Sequence, residues 1–346
     1  MHRICHSLEA AGFEPVLVGR QLADSKPLTR RRFHQKRLRC LFNKGFLFYA
    51  EYNVRLFFFL LFKKMDGICA IDLDTILPCL LVSKLKGIPR VYDAHEYFTE
   101  LKEVRTRPRV QKVWLRIEKF AVPKFLHGYT VSQGLVQVFQ ERYNRNYALI
   151  RNLPILREAG QYSKKEKFIF YCGAANEGRG FEYLIPAMRR VPYKLVVCGD
   201  GNFMQQLKTL IVASAVQDKV ELRGMVSPEE LFVTAQQATL GVALAEKEGI
   251  NQYHALPNKF LDYIHAGLPQ VTMSYPEYLH INSRFEVAVL IDTLDENVIA
   301  DAINATMENE TLLERLHLNC LRARQEYCWQ EEEKTLIRFY QRIFKK

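Results

Sequence analysis

The chain has 346 residues, 48% of them apolar and 25% charged, the balance of a globular protein of about two domains. That composition excludes disordered, collagen-like and coiled-coil chains. The net charge is +11, and the longest strictly apolar run, Leu56 to Phe62, falls far short of the roughly 20 residues a membrane-spanning helix needs.

Residues 2–11 read as a helix with Ile4, Leu8 and Ala11 on one face, stopped by Gly12. With His2, Arg3, His6 and Glu9 this start is not a signal peptide. Pro15–Gly19 reads as a short buried strand. A basic–aromatic segment, residues 26–64, follows: no acid occurs from Ser25 to Ala50, where Lys26, Arg30, Arg31, Arg32, Lys36, Arg37, Arg39 and Lys44 alternate with Phe33, Leu38, Leu41, Phe42, Phe46 and Phe48. Such a stretch suits the anionic inner surface of a membrane. Nucleic acid is the rival partner, set below the membrane because no recognisable nucleic-acid motif accompanies the segment. Strand readings continue at Gly67–Ile71, Arg90–Asp93 and Gly128–Val131, with Ser132 capping the next helix.

The pattern lapses in the polar stretch 157–167, a linker, and then restarts. Strands are expected at 168–173, 194–199, 220–224, 240–244 and 270–273, alternating with helices at 180–190, 202–214, from Ser227-Pro228 onward, and at 258–266. Residues 295–344 read as helical with breaks. Two parallel α/β units in tandem result. Eight cysteines form no C-x-x-C pair and sit mostly in apolar runs, so they read as buried thiols of a reducing, cytoplasmic compartment.

Chemistry-bearing residues cluster in turns that follow strands. Gly173…Gly178-Arg179-Gly180 and Cys198-Gly199-Asp200-Gly201 would present backbone N–H groups to a phosphate, and an arginine can clamp two phosphate oxygens. Neither turn is a dinucleotide fingerprint or a Walker A loop, and each could be a tight turn only. In Pro257-Asn258-Lys259…Asp262-Tyr263, Asn258 can cap a helix. Lys259 then opposes the helix dipole, which a bound anion would explain. Tyr92-Asp93-Ala94-His95-Glu96 follows a strand, at the sheet edge where ligands bind. His2 and His6 share a helix face without a carboxylate partner, and no metal-ligand cluster is apparent.

Taken in order, these motifs resemble the GT-B glycosyltransferases, specifically glycosyltransferase family 4. The likeness is carried by Val91 to Glu96, Thr130-Val131-Ser132, Arg151-Asn152-Leu153-Pro154, Gly178-Arg179-Gly180, Val197 to Gly201, Arg223 to Val226, Pro257 to Pro269 and the Trp329…Tyr340 helix. The resemblance implies two Rossmann-like domains, 1–155 and 166–325, with a cleft between them, and a C-terminal helix, 326–346, that returns to the first. It implies an enzyme that transfers a sugar from a nucleotide-sugar donor to a glycolipid or polysaccharide acceptor, with retention and without a metal or other cofactor. By position, Arg179 and Lys259 would neutralise the donor diphosphate, and His95 would contact the donor sugar. Asp262 would bind the ribose, while Gly173, Gly180, Gly199, Gly201 and Asn258 would shape the donor site. Arg223 and Met225 would lie against the base.

Two departures stand out. The family's common E-x7-E pair would place its first glutamate at His254, with Asp262 second; Glu246 and Glu248 in the preceding loop are candidate substitutes for the sugar contact. The family also carries a strand and a polar loop ahead of the position of Arg3, so the expected first domain lacks its opening strand, and the start as written is expected to be a downstream or truncated one. Two other functions share the architecture: a nucleotide-sugar 2-epimerase, for which no acid/base set is identifiable, and a degenerate non-catalytic homologue, favoured by His254 and the shortened start. A dehydrogenase is disfavoured by the glycine spacing.

Overall fold

The computed structural model describes residues 1–157, 167–247 and 249–344. The linker expected at 157–167 therefore lies almost wholly outside the described residues. The chain divides into two units, Met1–Arg151 together with the segment from Glu331 onward, and Asn152–Gln330.

Among the described residues the first unit holds six strands, all paired in parallel: β1 (Val16–Gln21), β2 (His34–Arg39), β3 (Ile68–Ile71), β4 (Arg90–Ala94), β5 (His127–Thr130) and β6 (Ala148–Leu149). They form a two-stranded sheet, β1-β2, and a separate four-stranded sheet, β3-β4-β5-β6. Residues 26–64, whose plainest reading from the sequence is a solvated basic helix–loop, contain β2 and the 17-residue helix Gly45–Leu61. That helix buries Tyr52, Leu56 and Leu60, one every four residues, as an amphipathic helix does. Ser132 caps the helix Gln133–Tyr143 by accepting the Leu135 N–H. The Trp329–Phe344 helix brings Tyr340 to within 3.5 Å of the Tyr129 hydroxyl.

The second unit is one parallel sheet of β7 (Phe168–Cys172), β8 (Lys194–Cys198), β9 (Val220–Gly224), β10 (Leu240–Ala243), β11 (Gln270–Met273) and β12 (Ala288–Ile291). The order is β12-β11-β10-β7-β8-β9. The chain starts in the middle, runs to one edge and returns to fill the other, so β7 and β10 flank the switch point at which such sheets bind ligands. Every residue of β7, β10 and β11 is buried, as expected for strands covered by helices on both faces. Ile169, Tyr171, Leu195 and Val197 face one core, and Phe168, Phe170, Cys172, Val196 and Cys198 face the other. The strand β12 and the helix Pro276–Phe285 were not read from the sequence. All eight cysteines are free thiols, and six of them are buried.

Ends of these strands are held together by close backbone contact. Gly173 donates its N–H to the Cys198 carbonyl (3.0 Å) and Ala175 to that of Asp200 (3.1 Å). A Cβ on Gly199 would drive into the Gly173 carbonyl oxygen, so only glycine lets the β7 and β8 loops meet. Gly199→Ala is expected to cost about 3 kcal/mol through the backbone shift it forces; urea denaturation of the purified variant against the parent measures it.

Candidate active site

Lys259 is the second residue of the helix Asn258–Ala266. Its ammonium lies 3.6 Å from the centroid of the Tyr171 ring, and Nζ is buried with no hydrogen-bond partner. A Cβ on Gly173 would sit 3.7 Å from Lys259 Cε, so the side chain lies against the start of the loop after β7. Burial, and then the neighbouring guanidinium of Arg179, depress its pKa to about 7. The charge of Arg179 also acts on Tyr171 and Tyr278. Two cations thus meet at the carboxyl ends of β7 and β10, and neither has an ion-pair partner among the described residues. An anion with several charges would satisfy both.

The other expected donor-site residues are placed unevenly. Gly180 stands at the N-cap of the helix Phe181–Ala187, and Gly201 lies beneath the loop, against Asn176 and Ala175. Gly199 and Gly201 therefore build the support under the β7 loop. Asp262 is exposed, three residues after Lys259 on the same helix, and its charge reaches Cys172 at the end of β7. Asn258 does not cap its helix. Pro257 holds the N-cap position in extended conformation, and no side chain caps it; the Asn258 Oδ1 accepts instead from Asn152 Nδ2 at 3.0 Å. Arg223, at the end of β9, pairs with Glu221 at 2.7 Å, and Met225 beyond it is exposed. His254 follows the short helix Gly249–Tyr253 and packs edge-on against Tyr253. Glu246 is tied to the glycine loop, its N–H donating to the Gly178 carbonyl at 3.1 Å; Glu248 lies outside the described residues.

His95 belongs to the first unit, just past β4. Its Nε2 is 3.3 Å from Asp93 Oδ2, and its backbone N–H donates to Asp72 Oδ1 at 2.9 Å. Asp93 is wholly buried and also accepts the Tyr129 hydroxyl at 2.7 Å. Burial disfavours a charged His95 ring, yet the hydrogen bond and charge of Asp93, with Asp72, raise its pKa above the ordinary value. Asp72 is held at φ 52°, a left-handed conformation that non-glycine residues adopt only under constraint, and burial raises its carboxyl pKa. Among the described residues, no group of three or more His, Cys, Asp or Glu side chains is placed to hold a metal ion.

Sequence reasoning missed two tyrosines that make the second unit's site possible. Tyr171 supplies the ring beneath the ammonium. Tyr263 accepts the Cys172 N–H (3.1 Å) while its hydroxyl lies 3.1 and 3.3 Å from the Phe170 and Val242 carbonyls, linking β7 to β10. Its ring fills space that a side chain at Gly241 would occupy. The only sequence signal was the position of Tyr263 one turn after Lys259.

Residues 154–320 match the family Glycosyl transferases group 1. No curated protein matches the chain. Among solved structures, sucrose-phosphate synthase from Thermosynechococcus elongatus is similar with a TM-score of 0.78 at 15% identity, over 99% of this chain and 92% of that one. Anabaena HepE, in complex with UDP and glucose, gives 0.70 at 13% identity, over 89% and 86%. A mutant of S. aureus TarM, in complex with Fondaparinux, alpha-GlcNAc-glycerol and UDP, gives 0.65 at 13% identity; 84% of this chain is covered, but it spans only 58% of TarM. At these identities the likeness is one of fold, an α/β architecture with parallel sheets shared with GT-B glycosyltransferases.

The depressed pKa of Lys259 has a consequence for stability. Between pH 7 and the ordinary lysine value of 10.5, the unfolded chain holds a proton that the folded one has released. Stability contributed at this site therefore rises with pH across that window and is flat below it. Lys259→Met is expected to remove that slope and to raise the melting temperature at pH 7 when no ligand is present. Thermal melts of both proteins from pH 6 to 10 test this.

Proposed function

We propose that this chain, which belongs to the glycosyl transferases group 1 family through residues 154–320, moves a sugar from a nucleoside-diphosphate sugar to a glycolipid or polysaccharide acceptor, with retention at the anomeric carbon. The observation that carries this is the buried, unpaired ammonium of Lys259 beside Arg179. In glycosyl transfer the bond from the anomeric carbon to the diphosphate oxygen breaks, and its electron pair leaves with the diphosphate. Preorganised positive charge at that oxygen lowers the barrier. Lys259 and Arg179 supply such charge from the protein itself. Asp262, on the same helix, offers an acceptor for ribose hydroxyls. In the first unit, the His95 ring beside Asp93 offers a hydrogen-bonding group suited to a sugar hydroxyl. HepE and TarM were captured with UDP, which supports a nucleoside diphosphate as the common part of the donor.

Replacing Arg179 or Lys259 by Ala is expected to weaken binding of UDP by about 2 kcal/mol each, the range of a charge-assisted contact, with the fold retained. Calorimetry on both variants checks this, and unchanged affinity in both overturns the assignment. Incubating the enzyme with UDP-sugars in the absence of acceptor separates transfer from epimerisation, since only an epimerase would convert the donor under those conditions.

The exposed bases and aromatic side chains of the first unit support a place at an anionic membrane surface. No described helix is long and apolar enough to cross a membrane; the attachment proposed runs through residues 26–64. Arg30 and Arg32 are exposed and Arg31 is half-buried. Attraction between exposed charges is screened over about 8 Å at physiological salt. Binding to anionic vesicles is therefore expected to be salt-sensitive and to be lost when Arg30, Arg31 and Arg32 are replaced by Glu; equal sedimentation with anionic and neutral vesicles contradicts it.

A further inference from the structure

Two carboxylates hold His95 from its two ends. The Asp72 N–H donates to the Asp93 carbonyl at 2.8 Å, and Asp72 Oδ1 accepts the backbone N–H of His95 at 2.9 Å. Asp72 makes both contacts from its left-handed conformation at φ 52°, a strain that the surrounding structure must hold in place. The backbone of His95 is fixed in this way. Its ring is met by Asp93, whose Oδ2 lies 3.3 Å from Nε2.

The fold alone does not account for a charge at Asp93. Glu118, a second buried carboxylate of the first unit, shows what a structural one looks like. Its Oε1 accepts the hydroxyls of Tyr97 and Tyr143, and its Oε2 accepts that of Thr99 at 2.6 Å. Asp93 is wholly buried. Its Oδ2 accepts the Tyr129 hydroxyl at 2.7 Å, but Oδ1 is buried with no hydrogen-bond partner. A buried carboxylate left half-satisfied costs free energy, and an asparagine would serve Tyr129 without the charge. What the carboxylate adds is a charged acceptor facing a ring nitrogen.

The polar contacts of that ring fall on one of its two nitrogens. Nε2 has Asp93 Oδ2 on one side and Met1 Sδ, 3.1 Å away, on another. Both are acceptors, and neither has a proton to give. Nε2 therefore carries the proton, and in the neutral ring Nδ1 keeps its lone pair. The side chain is 24% exposed, and Nδ1 makes no hydrogen bond among the described residues.

We propose that Asp93 is the positioning residue of His95: it holds the ring with the proton on Nε2 and leaves Nδ1 to meet a hydroxyl of the sugar substrate, while Asp72 fixes the backbone. This assignment rests on the reading of His95 as a sugar contact and names the atom that makes it. Burial disfavours charge on the ring, Asp93 and Asp72 favour it, and the amino group of Met1 opposes it. Removing the Asp93 charge therefore lowers the titration midpoint of the ring and frees its tautomer.

The experiment is long-range proton–nitrogen NMR on the full chain carrying isotopically labelled histidine, with His95→Gln to identify the signal. Above its titration midpoint the parent is expected to show His95 with the proton on Nε2. Asp93→Asn is expected to lose that preference and to titrate at lower pH; Tyr129→Phe, which keeps the carboxylate, is expected to retain the tautomer. Circular dichroism checks that each variant folds. A parent ring protonated on Nδ1 overturns the proposal without any variant, and so does an Asp93→Asn protein with the parent's tautomer and midpoint. Calorimetry then compares UDP with whichever of UDP-glucose, UDP-galactose and UDP-N-acetylglucosamine the parent binds most tightly. The ratio of the two affinities cancels what the nucleotide contributes. It is expected to fall about tenfold in Asp93→Asn, the loss of one hydrogen bond, and to hold in Tyr129→Phe. An unchanged ratio in an Asp93→Asn protein of altered tautomer overturns the role of Nδ1. A parent that binds no UDP-sugar more tightly than UDP overturns the sugar contact itself, while the spectra still decide whether Asp93 positions the ring.

Discussion

A buried ammonium without a counter-ion is an expensive thing for a protein to keep, and the second unit is organised around one. Desolvation disfavours the charged form of Lys259, and the nearby charge of Arg179 disfavours it further. The face of Tyr171, 3.6 Å away, returns only a part of that loss, about 2 kcal/mol for a desolvated cation on a ring. The position in the first turn of its helix opposes the helix dipole as well. Three unfavourable terms therefore converge on one side chain. Nothing in packing calls for them; a multiply charged anion reverses all three at once. The free site thus favours a multiply charged anion over a neutral ligand.

The sheet topology makes that arrangement reproducible. The chain reverses its direction of travel between β7 and β10, the position at which sheets of this kind bind ligands. A split between neighbouring strands would loosen the site, and the Tyr263 hydroxyl closes it by accepting from the Cys172 N–H and bonding the carbonyl side of both strands. Gly241 leaves room for that ring. The loop carrying Arg179 is anchored from two directions, by Glu246 on Gly178 and by the Gly173 contact with Cys198. Arg179 and Lys259 are consequently carried by backbone that has few ways to move.

Some of this was legible in the residues. Long apolar runs such as Phe168–Cys172 announce buried parallel strands, and the anomalous cation at Lys259 could be flagged from the dipole argument alone. Asn258 could not be judged, because a capping side chain and a first-turn side chain look alike until the backbone of Pro257 is known. Tyr171 and Tyr263 read as ordinary core, since their roles arise from strand and helix positions distant in sequence. The Asp72–Asp93–His95 cluster depends on the register that sets Ile71 beside Asp93, which no local pattern encodes. The strand β2, His-Gln-Lys-Arg-Leu-Arg, lacks apolar alternation and exists because β1 pairs with it along six residues.

Charge is used in two different ways along this chain. The first 65 residues hold thirteen Lys and Arg against four Asp and Glu, leaving thirty-six against thirty-four for the remainder. The near-neutral part contains the buried cation, and the strongly basic part displays its cations on the surface. Buried charge is screened little by salt, whereas exposed charge loses most of its reach beyond about 8 Å at physiological ionic strength. The basic face therefore cannot serve to steer a nucleotide specifically, because any anion in solution competes for it. On the proposed membrane reading, it sums many weak attractions over a flat anionic surface, each about 1 kcal/mol, with exposed Phe46, Phe58 and Phe62 adding an apolar component that salt does not remove. Donor affinity and surface affinity should for this reason respond independently to ionic strength, the first nearly flat and the second steep.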